Sequence, residues 1–314
     1  MEVKQFGRIG VLMGGPSAER EVSLKSGKAV YETFRESGLE AVAIDVKTDN
    51  LEEITGLIKS HNINCAFLAL HGSFGEDGQI QGILESLEIP YTGSGIEASR
   101  LAMDKVASRL LFESGGLNVP KYVVVDKSNR KVKHNLGLPL VVKPAAQGSS
   151  IGLSIIDKEE DLDKAVALAF TFDKKVIIEE YIEGREMTVG ILDEQPLPVI
   201  EIIPKRKFFD YEAKYQHGMT DYIVPAHLEE NIAKDIQAAA LSAHRLLGCF
   251  GCSRVDMILN KENLPVVLEV NTIPGLTETS LLPKAAKSTG IEFNELCLKL
   301  IKLAYEKTQV KFTA

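Results

Sequence analysis

The spacing of apolar positions changes along the chain. Residues 8–13, RIGVLM, read as a buried strand, with the apolar stretch Ile9–Met13 stopped by Gly14 and Gly15. From about residue 18 to 37 the spacing lengthens, with Val22, Leu24, Ala29, Val30 and Phe34 on one helical stripe and Gly38 after it. A second strand at 41–46, a helix near 51–60 and a third strand at 65–70 complete a βαβαβ order. That order predicts a parallel α/β sheet whose ligands sit beyond the carboxyl ends of its strands. A helix is expected over 97–114, ended by Gly115-Gly116 and Val119-Pro120.

The rest of the chain reads as α+β. Strands at 122–125, 139–143, 153–156 and 176–182, with a helix near 159–170, predict a small unit with mixed or antiparallel pairing. A further unit opens with strands at 188–192 and 197–202, then an irregular polar segment at 205–226. A loop of that length is usually functional or mobile. The helix expected over 229–247 carries its stripe on Ile232, Ile236, Ala240, Ala243 and Leu247, and should pack behind the strands that follow. An amphipathic helix at 293–305 and a loose tail at 306–314 end the sequence. The expected domains are 1–98, 99–184 and 185–314.

Chemistry concentrates between residues 252 and 280. Strands at 253–259 and 264–271 are joined by the turn Asn260-Lys261-Glu262-Asn263. Strict alternation puts Val266, Leu268 and Val270 on one face and Val267, Glu269 and Asn271 on the other. If Leu259 pairs with Leu264, Arg254 lies across from Glu269, with Asp256 diagonal to it. Two readings fit this polar face: a solvated surface with an ion pair, or a divalent-metal site, since magnesium takes few carboxylates and leaves room for phosphate oxygens. Upstream, Lys143-Pro144-Ala145-Ala146-Gln147-Gly148-Ser149-Ser150-Ile151-Gly152 is either a hairpin loop or a phosphate cradle of backbone N–H groups. Glu19 and His71 fall beyond the first and third strands, where spacing alone favours a capping carboxylate and a loop histidine without a task.

Composition narrows the field. With 314 residues, 45% apolar and 25% charged, the chain is an ordinary globular one of two or three domains. A net charge of −8 with mixed signs argues against a nucleic-acid partner, and no run is apolar enough to span a membrane. Cys65, Cys249, Cys252 and Cys297 suit reduced thiols in the cytoplasm. The pair Cys249 and Cys252 has redox or half-zinc spacing, but no second CxxC and no paired histidines follow. Gly93, Gly95 and Ala98 imitate a dinucleotide fingerprint, yet the acid required about 20 residues later is missing.

Several segments together are identified as those of the D-alanine–D-alanine ligase family within the ATP-grasp superfamily. GGPSAEREVSL at 14–24 is similar to the family's first motif, HGSFGEDGQIQG at 71–82 to its second, and KPAAQGSSIG at 143–152 to its nucleotide-covering loop. IIEEYIEGRE at 177–186 resembles its adenine-and-ribose hinge, FDYEAKY at 209–215 its closing loop, and RVD with LEVNTIPGLT its metal-binding end. The resemblance implies an N-terminal substrate-binding domain followed by a two-lobed ATP-grasp module. It implies that Glu19 holds the ammonium of the first D-alanine, with His71 close by, in a network with Ser149 and Tyr215. It places ATP against Lys105, Lys143, Ser150 and Lys214, with the base and ribose at Glu179, Glu180, Ile182 and Glu186. Asp256, Glu269 and Asn271 would hold two Mg²⁺ or Mn²⁺ ions, Arg254 and the Gly275 N–H would stabilise an oxyanion, and Ser280 and Leu281 would take the second substrate's carboxylate. Tyr215 favours amide formation, because ester-forming members tend to have phenylalanine there; Phe209 stands where tyrosine is common, and Gln147 where some members have an acid. A homodimer acting in cell-wall precursor synthesis is the family expectation. The rivals are a nucleotide-sensing module, disfavoured by Lys214, Asp256 and Glu269; a dehydrogenase, supported only by the incomplete glycine fingerprint; and an ATP-grasp ligase using D-lactate or another amino-acid pair.

Overall fold

The computed structural model describes residues 6–128, 134–205 and 219–313. Strands β1 (Ile9–Gly14), β2 (Ala41–Val46) and β3 (Cys65–Leu68) form a parallel sheet in the order β2-β1-β3, crossed over by α1 (Arg20–Glu36) and α2 (Leu51–Ser60). Every residue of β1 is buried, because both faces of the sheet are covered. Ile9, Val11 and Met13 face one core with Val30 and Phe34 of α1, while Leu12 faces another with Ile54 and Ile58 of α2. The stripe of α1 differs from expectation. Ser23, Ser26 and Gly27 are buried beside Val30 and Phe34, whereas Val22 is only half-buried. Gly27 is there because a Cβ would lie 2.4 Å from Met13 Cβ, and Ser23 because its hydroxyl accepts from Gly14 N and donates to Ala69 O.

Three helices follow: α3 (Gln79–Ser86), which the sequence pattern did not suggest, α4 (Ile96–Met103) and α5 (Lys105–Ser114). The single helix expected over 97–114 is therefore two. Asp104 leaves the helical region (φ −81°, ψ 97°), ends α4, and caps α5 by accepting from Val106 N and Ala107 N. Strands β4 (Tyr122–Asp126), β5 (Leu140–Pro144), β6 (Ser154–Ile156) and β7 (Lys175–Glu180) make an antiparallel sheet in the order β4-β7-β5-β6, with α6 (Leu162–Ala169) on one face.

The third sheet joins β8 (Gly184–Leu192), β9 (Gln195–Pro196), β10 (Ile200–Pro204), β11 (Thr220–Ile223), β12 (Cys252–Asn260) and β13 (Pro265–Asn271). Part of the expected irregular segment is thus the strand β11; residues 206–218, which include Phe209, Lys214 and Tyr215, lie outside the described residues. As expected, α7 (Glu230–Leu246) packs behind the β12–β13 hairpin, burying Ile236, Ala240 and Ala243 against Val255, Met257, Val267 and Val270. The chain ends with α8 (Leu281–Lys287) and α9 (Phe293–Thr313). The last helix runs past Tyr305 where a loose tail was expected, and packs Leu296, Leu300 and Ile301 into the core of the first sheet.

The hairpin register differs from the unbroken alternation. Asp256 pairs with Glu269 and Arg254 with Asn271, but Met257 pairs with Val267, so Leu268 is an extra residue in a β-bulge. The bulge turns Val267 and Val270 to the same core, where strict alternation would oppose them. Together with the pairing of Leu259 with Pro265 rather than Leu264, it brings Asp256 directly opposite Glu269 rather than diagonal to it.

Gly27→Ala should destabilise the protein by about 1–2 kcal/mol, the clash with Met13 outweighing the gain of about 1 kcal/mol in helix propensity. A lower urea midpoint at unchanged slope is the expected measurement; an unchanged midpoint would mean that α1 shifts freely on β1.

Candidate active site

Asp256 is the centre of the hairpin's polar face. It receives Arg254 through two bonds, Nε to Oδ1 at 2.8 Å and Nη2 to Oδ2 at 2.7 Å. Thr188 Oγ1 on β8 donates at 2.6 Å and Asn271 Nδ2 at 3.1 Å. Opposite, Glu269 meets the ammonium of buried Lys105 at 3.2 Å. Lys105 also donates to the carbonyl of Gln147 at 2.7 Å and so ties the glycine-serine loop to the hairpin. The set offers two carboxylates and one carboxamide, and no group of three or more His, Cys, Asp or Glu suited to a metal occurs among the described residues. Hard oxygens with few carboxylates fit Mg²⁺ or Mn²⁺ carried with phosphate, and do not fit zinc.

On one side of this hairpin lies a cleft of about 420 Å³ between the second and third sheets. Val141, Ile155, Ile202, Ile258 and Leu268 give it apolar walls, and Lys105, Lys143, Ser150, Glu179, Glu180, Ile182, Glu186, Asp256 and Glu269 all line it. The loop above is held at its root by Ala146 N donating to Asp173 at 2.7 Å. Ser149 and Ser150 are both left-handed, at φ +49° and +58°. Lys143, near the end of β5, lines the cleft. Its ammonium lies 2.8 Å from Glu179, which also pairs with the fully buried Arg109. Burial pulls Lys143 down to about 8, with Glu179 resisting and Arg109 and Lys105 adding to the fall. For Glu179, burial alone would raise the carboxyl, but Lys143 and Arg109 outweigh it and hold it below its ordinary value. Glu180 donates its N–H to Lys121 O at 3.0 Å and accepts Lys121 N on its carboxylate at 2.9 Å, so that N–H is already committed.

On the other side is a cavity of about 530 Å³ that brings together Glu19, His71, Ser149, Arg254, Glu269, Asn271, Gly275, Ser280 and Leu281. Glu269 lines both cavities. Glu19 occupies the N-cap position of α1 but makes no side-chain cap; its carboxylate accepts the Ser149 hydroxyl instead. Gly72 and Gly148 let the backbone close on it, since a Cβ would lie 2.7 Å and 3.1 Å from Glu19 Oε2. His71 is buried and engaged rather than idle: its Nε2 lies 3.1 Å from Ser26 Oγ, which accepts Leu276 N at 3.2 Å. Burial, aided by Arg254, pushes the imidazole down to about 4, so it is neutral at physiological pH. Ser280 Oγ accepts Thr277 N at 3.1 Å and lies where a Gly275 Cβ would approach within 3.1 Å. Of the expected site residues, Lys214 and Tyr215 fall in the segment not described.

Two polar groups escaped the sequence reading. Arg109 stands four residues after Lys105 on α5, a helical neighbour spacing that could have marked it. Glu76 sits among the glycines of the second motif and accepts Gly72 N at 2.7 Å and Ile273 N at 3.3 Å, joining that motif to the turn after β13. Burial, with Glu19 adding to it, pushes Glu76 up to about 8.

A mixed fold with a cleft of about 420 Å³ between two antiparallel sheets, floored by an acidic hairpin, defines an ATP-grasp ligase. Residues 111–302 match the family model for the D-ala D-ala ligase C-terminus and residues 47–94 that for the N-terminus. The sequence is 47% identical over 317 aligned positions to a D-alanine–D-alanine ligase of Pelotomaculum thermopropionicum, covering 97% of this chain and 98% of the relative. It is 45% identical to that of Nitrosomonas europaea, covering 98% and 100%. The crystal structure of the Bacillus anthracis D-alanine–D-alanine ligase complexed with ATP superposes with a TM-score of 0.84 at 34% identity, covering 97% and 99%. The VanG D-Ala:D-Ser ligase of Enterococcus faecalis does so at 0.83 and 33%, covering 96% and 100%. The chain belongs to the D-alanine–D-alanine ligase family.

Glu76 makes stability fall with pH. Unfolded, its carboxyl titrates near the ordinary value of about 4.3; folded, it holds its proton up to about 8. Between these values the folded chain binds the extra proton, so stability is lost as pH rises. His71 works in the opposite sense only below about 6.5. From pH 6.5 to 8 the wild type should therefore lose more stability in urea titrations than Glu76→Gln; equal losses would refute the assignment.

Proposed function

We propose that the chain joins two D-alanine molecules into D-alanyl-D-alanine at the expense of ATP, through an acyl phosphate, for cell-wall precursor synthesis. The observation that carries this reading is the wall common to both cavities: Glu269 and its hairpin neighbours lie between an apolar cleft of nucleotide size and a polar cavity suited to an amino acid. A phosphoryl group on that wall would be within reach from either side.

In this reading the base and ribose lie against Glu179, Glu180, Ile182 and Glu186, and the phosphates against Lys105, Lys143, Ser150 and Lys214. Asp256, Glu269 and Asn271 would hold two Mg²⁺ or Mn²⁺ ions, whose charge would offset that of the phosphates. Glu19, supported by Ser149 and Tyr215, holds the ammonium of the first D-alanine, with neutral His71 behind it. The carboxylate of that D-alanine attacks the γ-phosphorus and ADP leaves. The amine of the second, held by its carboxylate at Ser280 and Leu281, attacks the acyl carbon; phosphate leaves and the amine gives up its proton. Arg254 and the Gly275 N–H stabilise the oxyanion that forms between these events. To do so Arg254 must turn from Asp256, which it holds through two bonds in this structure. Water has to be excluded from the acyl phosphate, which gives the segment 205–226 the role of a cover.

The domain reading is 1–98 for substrate binding, 99–184 for nucleotide binding and 185–314 for the metal-bearing lobe. We further propose a homodimer in the cytoplasm; four buried, free cysteines agree with a reducing compartment. No helix among the described residues is long and apolar enough to cross a membrane.

Phosphate release should require ATP together with D-alanine in a panel of D- and L-amino acids and D-lactate; release with an L-amino acid alone would overturn the substrate assignment. Glu269→Gln should lower that rate by at least the roughly 10–100-fold typical of disturbed metal sites, and a wild-type rate would remove Glu269 from metal binding. Tyr215→Phe should raise the ester-to-amide ratio with D-lactate near neutral pH, whereas an unchanged ratio would separate Tyr215 from Glu19 and Ser149.

A further inference from the structure

Behind the nucleotide cleft lies a buried cation that the reaction as derived does not use. Arg109 has no exposed surface and does not line the cleft. Its guanidinium pairs with Glu179 and lies 5.1 Å from the centre of the Tyr122 ring. Tyr122 is in turn the β4 partner of Glu179 on β7. Arg109 is therefore clamped between α5, β4 and β7, with Glu179 as its ion-pair partner. Lys143 is placed differently. It reaches the same carboxylate at 2.8 Å from the opposite oxygen and lines the cleft. An anion bound there would compete with Glu179 for the lysine.

We infer that Arg109 is a positioning residue for the nucleotide base: it keeps the Glu179 carboxylate ionised and fixed when Lys143 turns to phosphate, and so lets the cleft choose a purine with an exocyclic amine over one with a carbonyl at the same position. The inference rests on the reading of Glu179 as the base contact. The chemistry is direct. A carboxylate left alone in a buried site takes up a proton. A protonated Glu179 would offer an O–H to a carbonyl purine and lose its preference for an amine. An ionised one can only accept, so it favours the amine of adenine and repels the carbonyl oxygen of hypoxanthine. Arginine is suited to the task because it stays charged at every pH at which a protein is folded. Lysine is not, as the fall of Lys143 illustrates.

The test is the ratio of kcat/KM for ATP to that for inosine triphosphate, measured on the full-length protein with D-alanine. Both values come from one preparation, so a partly folded variant leaves the ratio unaffected. The wild type should prefer ATP. Arg109→Met should narrow the preference by about tenfold or more, mainly through KM for ATP, and Arg109→Lys, whose charge burial can remove, should recover only part of it. If Arg109→Met fails to fold, Arg109→Gln is read in the same way. A wild-type ratio in the neutral variant, alongside a collapsed ratio in Glu179→Gln, overturns the role of Arg109 while the base contact stands. A wild-type ratio in Glu179→Gln overturns the base contact, and the inference with it.

Discussion

Burial turns each charge around the cleft into a pairing problem. Asp256, Glu269 and Glu179 are carboxylates largely withdrawn from water, and each is met by a cation from another position: Arg254, Lys105, and Lys143 with Arg109. Removing one partner of such a pair costs far more than a surface ion pair contributes. All but the Arg254–Asp256 pair also cross between elements. Lys105 joins α5 to β13 and, through Gln147, to the glycine-serine loop; Arg109 joins α5 to β7. The cleft is thus held open by charges of its own, and a phosphate-bearing ligand must exchange partners with them rather than fill an empty space.

The substrate cavity depends on uncharged contacts. Ser26 of α1 stands between His71, after β3, and Leu276, in the turn after β13. Glu76 makes a second junction between the same regions through Gly72 and Ile273. Parts of the chain 197 and 250 residues apart are thereby brought around Glu19 without a charge pair at the junction, which a neutral imidazole and a protonated carboxyl permit.

Much of this was legible in the sequence, and the exceptions have physical causes. The buried run at Ile9–Gly14, the helix behind the hairpin and the antiparallel middle sheet follow from apolar spacing. The bulge at Leu268 did not show, because Val266, Val267 and Leu268 are all apolar and pattern alone cannot say which is extra. Asp104 was hidden because a capping residue between two helical patterns reads like a polar position within one. The stripe of α1 was misread because its buried face is made of Ser23, Ser26 and Gly27, whose use depends on Gly14, His71 and Met13 elsewhere. Family motifs brought Glu19, His71 and Ser149 to attention, but the partners of Lys143 and Glu179 needed three dimensions. Arg109 lies between motifs, and nothing but its spacing from Lys105 marked it.

The closing helix bears on the order of events during synthesis. Leu296, Leu300 and Ile301 fill the core of the first sheet, and Tyr305 donates to the carbonyl of Phe6 at 2.5 Å. Strands β1 to β3 therefore wait, with part of one apolar face uncovered, until Leu296 to Ile301 have been translated. Domains generally fold as units during synthesis; here the first sheet can complete its interior only once the helix Phe293–Thr313 has been made, and a product truncated before it would expose that face to aggregation.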